Sequence, residues 1–155
     1  MRTLLLYALF CFSAHGTSLP YPAAAVEGYF FEGVGQVYPL TFEPGTLRDC
    51  FETSNAAYNE ATCKLDGASM KLEFGAEVRT VIFETIRLTE GITQPSLAFY
   101  LTGGIAIPLP DGTSFESPAY LTLRRYPPEV QLRGSMGFGK LGFARQVFLK
   151  WPTTP

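Results

Sequence analysis

The chain has 155 residues, of which 46% are hydrophobic, 14% aromatic and 17% charged, and its formal net charge is -2. Few charges combined with many aromatic side chains argue against intrinsic disorder, and this length suits one domain with a sizeable core. The 12 lysines and arginines form no basic run, whereas a nucleic-acid-binding surface needs clustered positive charge. We therefore expect no nucleic-acid partner.

The first 16 residues have the pattern of a cleaved secretory signal peptide. A positive start at Arg2 is followed by an apolar run over residues 3–12 and by small residues. This run is about half of the roughly 20 residues that a transmembrane helix needs, and an uncleaved N-terminus is the alternative. Cleavage removes Cys11 and the single histidine, His15, and leaves 11 basic against 14 acidic residues, a net charge of -3.

We therefore predict an exported protein, either secreted or located in the periplasm or cell envelope. The predicted organisation is a signal peptide at 1–16, a flexible lead-in at 17–26, a single β domain at 27–151 and a short tail at 152–155.

The chain after the lead-in shows the period-two alternation that is typical of β-strands with one buried face. In residues 71–89, seven of the nine even-numbered residues are apolar, whereas Val81 and Phe83 are the only apolar odd-numbered residues. Such a stretch is too long for one straight strand in a small domain. Val81 and Phe83 are predicted to contact the segment between the two remaining cysteines or to form an exposed contact patch.

Gly75 marks the expected break in this stretch. A two-residue turn would put Phe74 and Glu77 opposite each other on one face, so the alternation argues against it. Two arrangements keep the apolar face intact: a three-residue turn over 75–77, or a strongly bent strand with Gly75 at the bend.

Shorter alternating segments continue to the end of the chain, separated by breaks that are rich in glycine and proline. They include residues 38–42, 97–107, 119–124, 130–133 and 141–151. Short strands at this spacing predict a mainly all-β fold, an antiparallel β-sandwich or a small β-barrel of about seven to nine strands. The choice between sandwich and barrel stays open.

Residues 46–63 are the exception, because their apolar positions have helical spacing after Pro44 and Gly45. A continuous helix would separate Cys50 from Cys63 by about 20 Å, whereas a disulfide needs Cα atoms roughly 4.4–6.8 Å apart. We predict a short helical segment that folds back near residues 54–55 and is closed by a Cys50–Cys63 disulfide. Two free thiols are the alternative.

The residues that remain after cleavage exclude several catalytic chemistries. Serine and cysteine hydrolases need an imidazole base, and zinc or copper sites normally use histidine or free thiolates. Residues 137–142 match the glycine pattern of dinucleotide-binding loops, but no helix or acidic residue follows where that site requires them. We predict no catalytic residue, no cofactor and no metal.

Two charged residues interrupt apolar alternation and are candidate interior groups. Glu84 lies between Ile82 and Ile86, and Arg145 lies in the last alternating segment. They are predicted to pair across a barrel interior or to line a polar cavity. The alternatives are a slip in the assumed register, a position at a solvent-filled rim, or a carboxylate-dependent enzyme.

Two proline-containing connections are candidate contact loops. Pro108 and Pro110 stiffen one of them, and Arg124, Arg125 and Tyr126 lead into the other. The alternative is that both are tight turns between strands.

Taken together, these features favour an exported, non-enzymatic β domain that binds a protein partner or a small apolar ligand, as an interaction or structural component. A small outer-membrane β-barrel is the main alternative, and a carboxylate-dependent enzyme is a weaker one.

Overall fold

The computed structural model describes residues 19–93, 96–125, 131–139 and 143–150. The signal peptide, Tyr126 and the C-terminal tail predicted from the sequence lie outside these ranges. Nine strands are described, and they follow in chain order: β1 (Val26–Phe31), β2 (Val37–Glu43), β3 (Thr46–Ser54), β4 (Tyr58–Phe74), β5 (Glu77–Gly91), β6 (Leu97–Pro108), β7 (Ser114–Arg125), β8 (Gln131–Phe138) and β9 (Phe143–Lys150).

The strands form a closed antiparallel β-barrel, so the predicted all-β class is confirmed and the open choice is resolved as a barrel. Eight strands lie in the order β2-β1-β9-β8-β7-β6-β5-β4, and pairing of β2 with β4 closes the ring. The ninth, β3, pairs with the first half of β4. Closure pairs the backbone groups that open sheet edges would expose.

The predicted helical segment is wrong, because residues 46–63 form β3, a turn and the start of β4. Thr46 to Ser54 pair with Asp66 to Asn59, and a bulge interrupts the ladder between Arg48 and Phe51. The apparent helical face is not buried, since Phe51 is 70% exposed. Pairing with β4 satisfies the backbone groups of this segment, and this outweighs a helical spacing based on only a few apolar positions.

The disulfide between Cys50 and Cys63 is confirmed, and it joins β3 to β4 beside the bulge. The chain folds back at residues 55–57, where the Asn55 side chain accepts hydrogen bonds from the N–H groups of Ala57 and Tyr58. The fold-back therefore lies at the predicted place, but it connects two strands.

Removing this bridge is expected to destabilise the barrel. Closing a loop of 13 residues contributes about 3 kcal/mol by the chain-entropy estimate. For a domain of this size the double variant Cys50→Ser/Cys63→Ser should melt roughly 6–12 °C lower than the oxidised wild type. Circular dichroism melting with and without reductant measures the difference. If reductant lowers the melting temperature of the wild type but not that of the variant, the loss of stability is due to the disulfide. Equal melting temperatures for the oxidised wild type and the variant would contradict the estimate.

The connection between β4 and β5 is the two-residue turn that the alternation argued against. Phe74 lies directly opposite Glu77, and the turn consists of Gly75 and Ala76. Gly75 has a φ of 66°, as the first central position of a type II′ hairpin turn requires. Neither the three-residue turn nor the bent strand is present. Even-numbered residues point inward before the turn and odd-numbered residues point inward after it.

A β-bulge at Glu84 changes the face back again. The pairing of β5 with β6 shifts register between Phe83 and Thr85. Before the bulge the inward residues are odd-numbered, and after it Ile86 and Leu88 point inward. The prediction for Val81 and Phe83 is therefore wrong: both are core residues, 0% and 1% exposed, and Ile82 is 52% exposed.

The barrel interior is filled with apolar side chains. The largest fully buried ones come from β1, β2, β4, β5, β6 and β7: Phe30, Phe42, Phe83, Phe99, Leu40, Met70, Leu72, Ile86, Leu88, Leu101, Leu121 and Leu123. The alternating segments that the sequence placed in β2, β6 and β7 supply many of these, as predicted. Short connections at residues 32–36, 75–76 and 109–113 lie at one end of the barrel, which we call the turn end.

Candidate functional site

An ion pair between Glu32 and Arg145 closes part of the turn end. Glu32 follows β1, and Arg145 lies on β9 with the same inward parity as Val147 and Leu149. Nε of Arg145 donates to Oε2 of Glu32 at 2.6 Å, and Nη2 donates to Oε1 at 2.5 Å. Both carboxylate oxygens are engaged, which is the bidentate fork geometry that makes such pairs strong and specific.

A second ion pair, between Glu77 and Arg79, lies at the same end. Both side chains belong to the inward face of β5, because the two-residue turn places Glu77 opposite Phe74. Nε of Arg79 donates to Oε1 of Glu77 at 2.8 Å, and Nη2 lies 2.7 Å from the same oxygen. This pair therefore uses one carboxylate oxygen. Glu77 is 55% exposed and Arg79 is 30% exposed, so the pair lies at the mouth.

Below these charges lies a cavity of about 230 Å³. Its apolar lining comes from β1, β4, β6 and β8: Phe30, Leu72, Phe74, Ile105, Ile107, Met136 and Phe138. Phe30, Tyr38 and Phe74 form an aromatic cluster with ring centroids 5.1–5.6 Å apart. Phe30 and Phe74 of this cluster line the cavity, so part of its wall is aromatic.

The electrostatics of the mouth keep Glu32 ionised. The hydrogen bonds from Arg145 hold the pKa of Glu32 below its usual range, and the same bonds raise the pKa of Arg145. A carboxylate with a lowered pKa is a poor general acid at neutral pH, because that role requires a raised pKa.

The coupling between these two groups should depend on pH. The folded pKa of Glu32 is lowered, so its contribution to stability is present above the unfolded pKa of about 4.3 and is lost as pH falls through the folded value. We expect a double-mutant cycle with Glu32→Gln and Arg145→Gln to give roughly 1 kcal/mol at pH 7 and a smaller value at pH 3. Urea unfolding of the four proteins at both pH values measures the coupling. A coupling energy that is the same at both pH values would contradict this assignment.

The predicted interior position of Glu84 is wrong. Glu84 occupies the β-bulge in β5 and is exposed, since the change of face at Gly75 puts the even-numbered residues of β5 on the outer wall as far as the bulge. Arg145 takes Glu32 as an ion-pair partner, so the predicted pairing of Glu84 with Arg145 is wrong as well.

The loop that contains Pro110 is a tight β6–β7 connection with internal hydrogen bonds, and Pro108 is the last residue of β6. The Asp111 carboxylate accepts hydrogen bonds from the N–H and hydroxyl of Thr113, which lower the pKa of Asp111. Leu109 N–H donates to the Thr113 carbonyl at 2.8 Å. This geometry favours the tight-turn alternative for this loop.

Arg124 and Arg125 end β7, and Arg124 contributes to a cation–aromatic cluster on the outer wall. Its Nη2 donates to the hydroxyl of Tyr100 at 3.2 Å, and the guanidinium of Arg87 lies 4.5 Å from the centre of the same ring. Arg133 on β8 is directly opposite Arg124. This cluster is distant along the strands from the cavity mouth, so Arg124 and Arg125 are not brought to the cavity.

A second cavity, of about 240 Å³, lies at the other end of the barrel. Leu19, Glu52, Thr53, Ser54, Asn59 and Glu60 line it. Five of these six residues are polar and several are exposed, so it lacks the mainly apolar walls of the turn-end cavity. We therefore take the turn end as the candidate site.

Glu32, Glu77 and Arg79 are site residues that the sequence patterns do not predict. The alternation of residues 71–89 places Glu77 and Arg79 on the outward face, because it argues against the two-residue turn. The available signal was Gly75, a residue that favours a tight hairpin turn. Glu32 had no comparable signal, since its position depends on where β9 lies beside β1.

Within the described ranges, no three histidine, cysteine, aspartate or glutamate side chains are grouped as a metal site would require. Among those same residues, no helix has the length and apolar character to cross a membrane. Comparisons of the chain with protein families, with curated proteins and with solved structures find no significant match.

Proposed function

We propose that the protein is an exported, non-enzymatic binding domain that holds a small, mainly apolar ligand in the turn-end cavity. The observation that carries this proposal is the cavity itself, in which apolar and aromatic walls end in a few charged groups. Ligand sites have this composition, with apolar walls for affinity and a few polar groups for orientation.

The size of the cavity limits the ligand. Its volume of about 230 Å³ lies between the ~150 Å³ of a cavity that takes up benzene and the ~300 Å³ at which pockets for larger ligands begin. The expected ligand therefore has an apolar body of about one ring.

Export is supported by the disulfide and by the N-terminal sequence. The Cys50–Cys63 bridge indicates an oxidising, extracytoplasmic compartment. The signal-peptide pattern of residues 1–16 supplies a route to a secreted, periplasmic or envelope location.

Two features make the alternatives less favourable. Apolar side chains fill the barrel interior, and the outer wall carries exposed charges such as Lys64, Lys71 and Arg87, whereas a membrane-spanning barrel has the opposite arrangement. A carboxylate-dependent enzyme is weakened because Glu32 and Glu77 are both held in ion pairs and Glu84 is on the outer wall.

A protein partner is the second candidate, and one observation favours it. Val78 and Ile82 lie on the outer face of β5 and are 57% and 52% exposed. Thr80 lies between them on the same face, and exposed apolar side chains on an otherwise polar wall are a feature of contact surfaces.

The test uses 3-phenylpropan-1-ol, a neutral one-ring probe, with the exported, oxidised protein. We expect chemical-shift changes in ¹H–¹⁵N NMR spectra at the cavity residues. Replacing Ile107 with tryptophan fills the space between the walls and should weaken binding at least tenfold. The matched control is Ile82→Trp, which adds the same ring to the outer wall and should leave binding unchanged. Shifts confined to the outer wall would support the partner surface, and absence of binding by the wild-type protein would overturn the proposal.

A further inference from the structure

The two arginines at the mouth of the cavity differ in how fully their partners engage them. Arg145 meets both oxygens of Glu32. Arg79 meets only Oε1 of Glu77, and its Nη1 has no hydrogen-bond partner among the described residues. A guanidinium has five N–H donors, and in both pairs the arginine contacts its partner through Nε and Nη2. The pairs therefore differ in the carboxylate, since Glu77 engages one oxygen and Glu32 engages two.

Glu77 is also the more replaceable of the two carboxylates. It is 55% exposed, compared with 33% for Glu32, and it lies two residues from Arg79 on the same strand. Exposed ion pairs contribute little to stability, so displacing Glu77 from Arg79 costs little. An incoming carboxylate that engages two N–H groups of Arg79 in parallel would form the stronger, bidentate contact.

The position of Arg79 connects this donor to the apolar walls. Arg79 lines the same cavity as Phe74 and Ile107, and this cavity has room for an apolar body. A ligand whose body fills the cavity would bring a carboxylate on a short linker to the mouth.

We propose that the ligand of the cavity is a small carboxylic acid with an apolar, one-ring body, and that Arg79 binds its carboxylate in exchange for Glu77. This inference rests on the proposed function, since it assigns the ligand class of the same cavity. Glu77 then competes with the ligand carboxylate for Arg79, and its own carboxylate pairs with Arg79 when no ligand is bound.

The test compares two probes with the same apolar body, 3-phenylpropionate and 3-phenylpropan-1-ol, at pH 7 by NMR titration. In the wild-type protein the acid is expected to bind about tenfold more tightly than the alcohol, a difference of about 1.4 kcal/mol. In Arg79→Gln the preference should disappear, so that the two probes bind within about twofold of each other. In Glu77→Gln the preference for the acid should increase severalfold, because the competing carboxylate is removed.

The control is Arg87→Gln, which removes a guanidinium from the outer face of the same strand and should leave the preference as in the wild type. If both probes bind in the cavity with equal affinity, or if the alcohol binds more tightly, the carboxylate assignment fails while the cavity proposal stands. If neither probe binds, both fail. A preference lost equally in Arg79→Gln and Arg87→Gln would show general charge attraction and would overturn the role of Arg79.

Discussion

Replacing Phe83 with alanine is expected to lower the free energy of unfolding by about 3–5 kcal/mol, the cost of deleting a fully buried aromatic ring. Phe83 is 1% exposed, and its ring centroid lies 6.2 Å from that of Phe42 across the barrel interior. Truncation leaves a cavity between β5 and β2 that the surrounding strands cannot close, because their backbones are fixed in the ladder. Urea unfolding monitored by circular dichroism measures the loss.

The neighbouring residue provides the matched control. Ile82 is 52% exposed on the outer wall, so Ile82→Ala should cost less than about 1 kcal/mol. The simple alternation of residues 71–89 predicts the reverse order, with Ile82 inward and Phe83 outward. A larger loss for Ile82→Ala than for Phe83→Ala would therefore refute the two changes of face in β5.

Replacing Gly103 with alanine should destabilise the barrel by more than about 3 kcal/mol, above the usual range for an added methyl group in a packed interior. A Cβ atom at this position would lie 1.8 Å from the carbonyl oxygen of Ile82 and 2.7 Å from the Cα of Phe83. These are backbone atoms of the adjacent strand, so no side-chain rotation relieves the overlap. The strands must separate beside the bulge at Glu84, which breaks ladder hydrogen bonds.

Gly104 provides the matched control, because it distinguishes the steric clash at Gly103 from a general effect of replacing glycine. A Cβ atom at Gly104 would lie 3.5 Å from the carbonyl oxygen of Ser117, an ordinary van der Waals distance. Gly104→Ala should therefore stay within about 1 kcal/mol of the wild type. Thermal melting of Gly103→Ala and Gly104→Ala measures the difference in stability. Similar melting temperatures would show that β5 and β6 are not in close contact at the bulge.

The site depends on the same local features as the core. A two-residue turn at Gly75 brings Glu77 and Arg79 to the inward face, and the bulge at Glu84 restores Ile86 and Leu88 to the core. Between the turn and the bulge the odd-numbered residues of β5 point inward, the opposite of what the alternation of residues 71–89 predicts. The sequence pattern therefore does not predict that Glu77 and Arg79 lie at the mouth of the cavity. The turn at Gly75 and the bulge at Glu84 each change the inward face of the chain within residues 71–89. Because even-numbered residues are inward at both ends of the stretch, periodicity alone does not detect the part between them in which odd-numbered residues are inward.

Other parts of the site show the same limit. Arg145 stands out in the sequence because it interrupts an apolar alternation, and it does line the cavity. Its predicted partner, Glu84, is wrong. The observed partner, Glu32, is 113 residues from Arg145 along the chain, and the two meet only because β9 pairs with β1. No local pattern contains this information.

Sequence patterns are sufficient to predict the all-β class, most of the strand faces in β2, β6 and β7, and the pairing of two cysteines. These follow from local properties: the period of side chains along a strand, the residues that favour turns, and the number of thiols. Three features become known only from the three-dimensional fold: the closure into a barrel, the strand conformation of residues 46–54 and the identity of the residues around the cavity. Each of these depends on which distant backbone satisfies the hydrogen bonds of a strand, and that register is a property of the whole sheet.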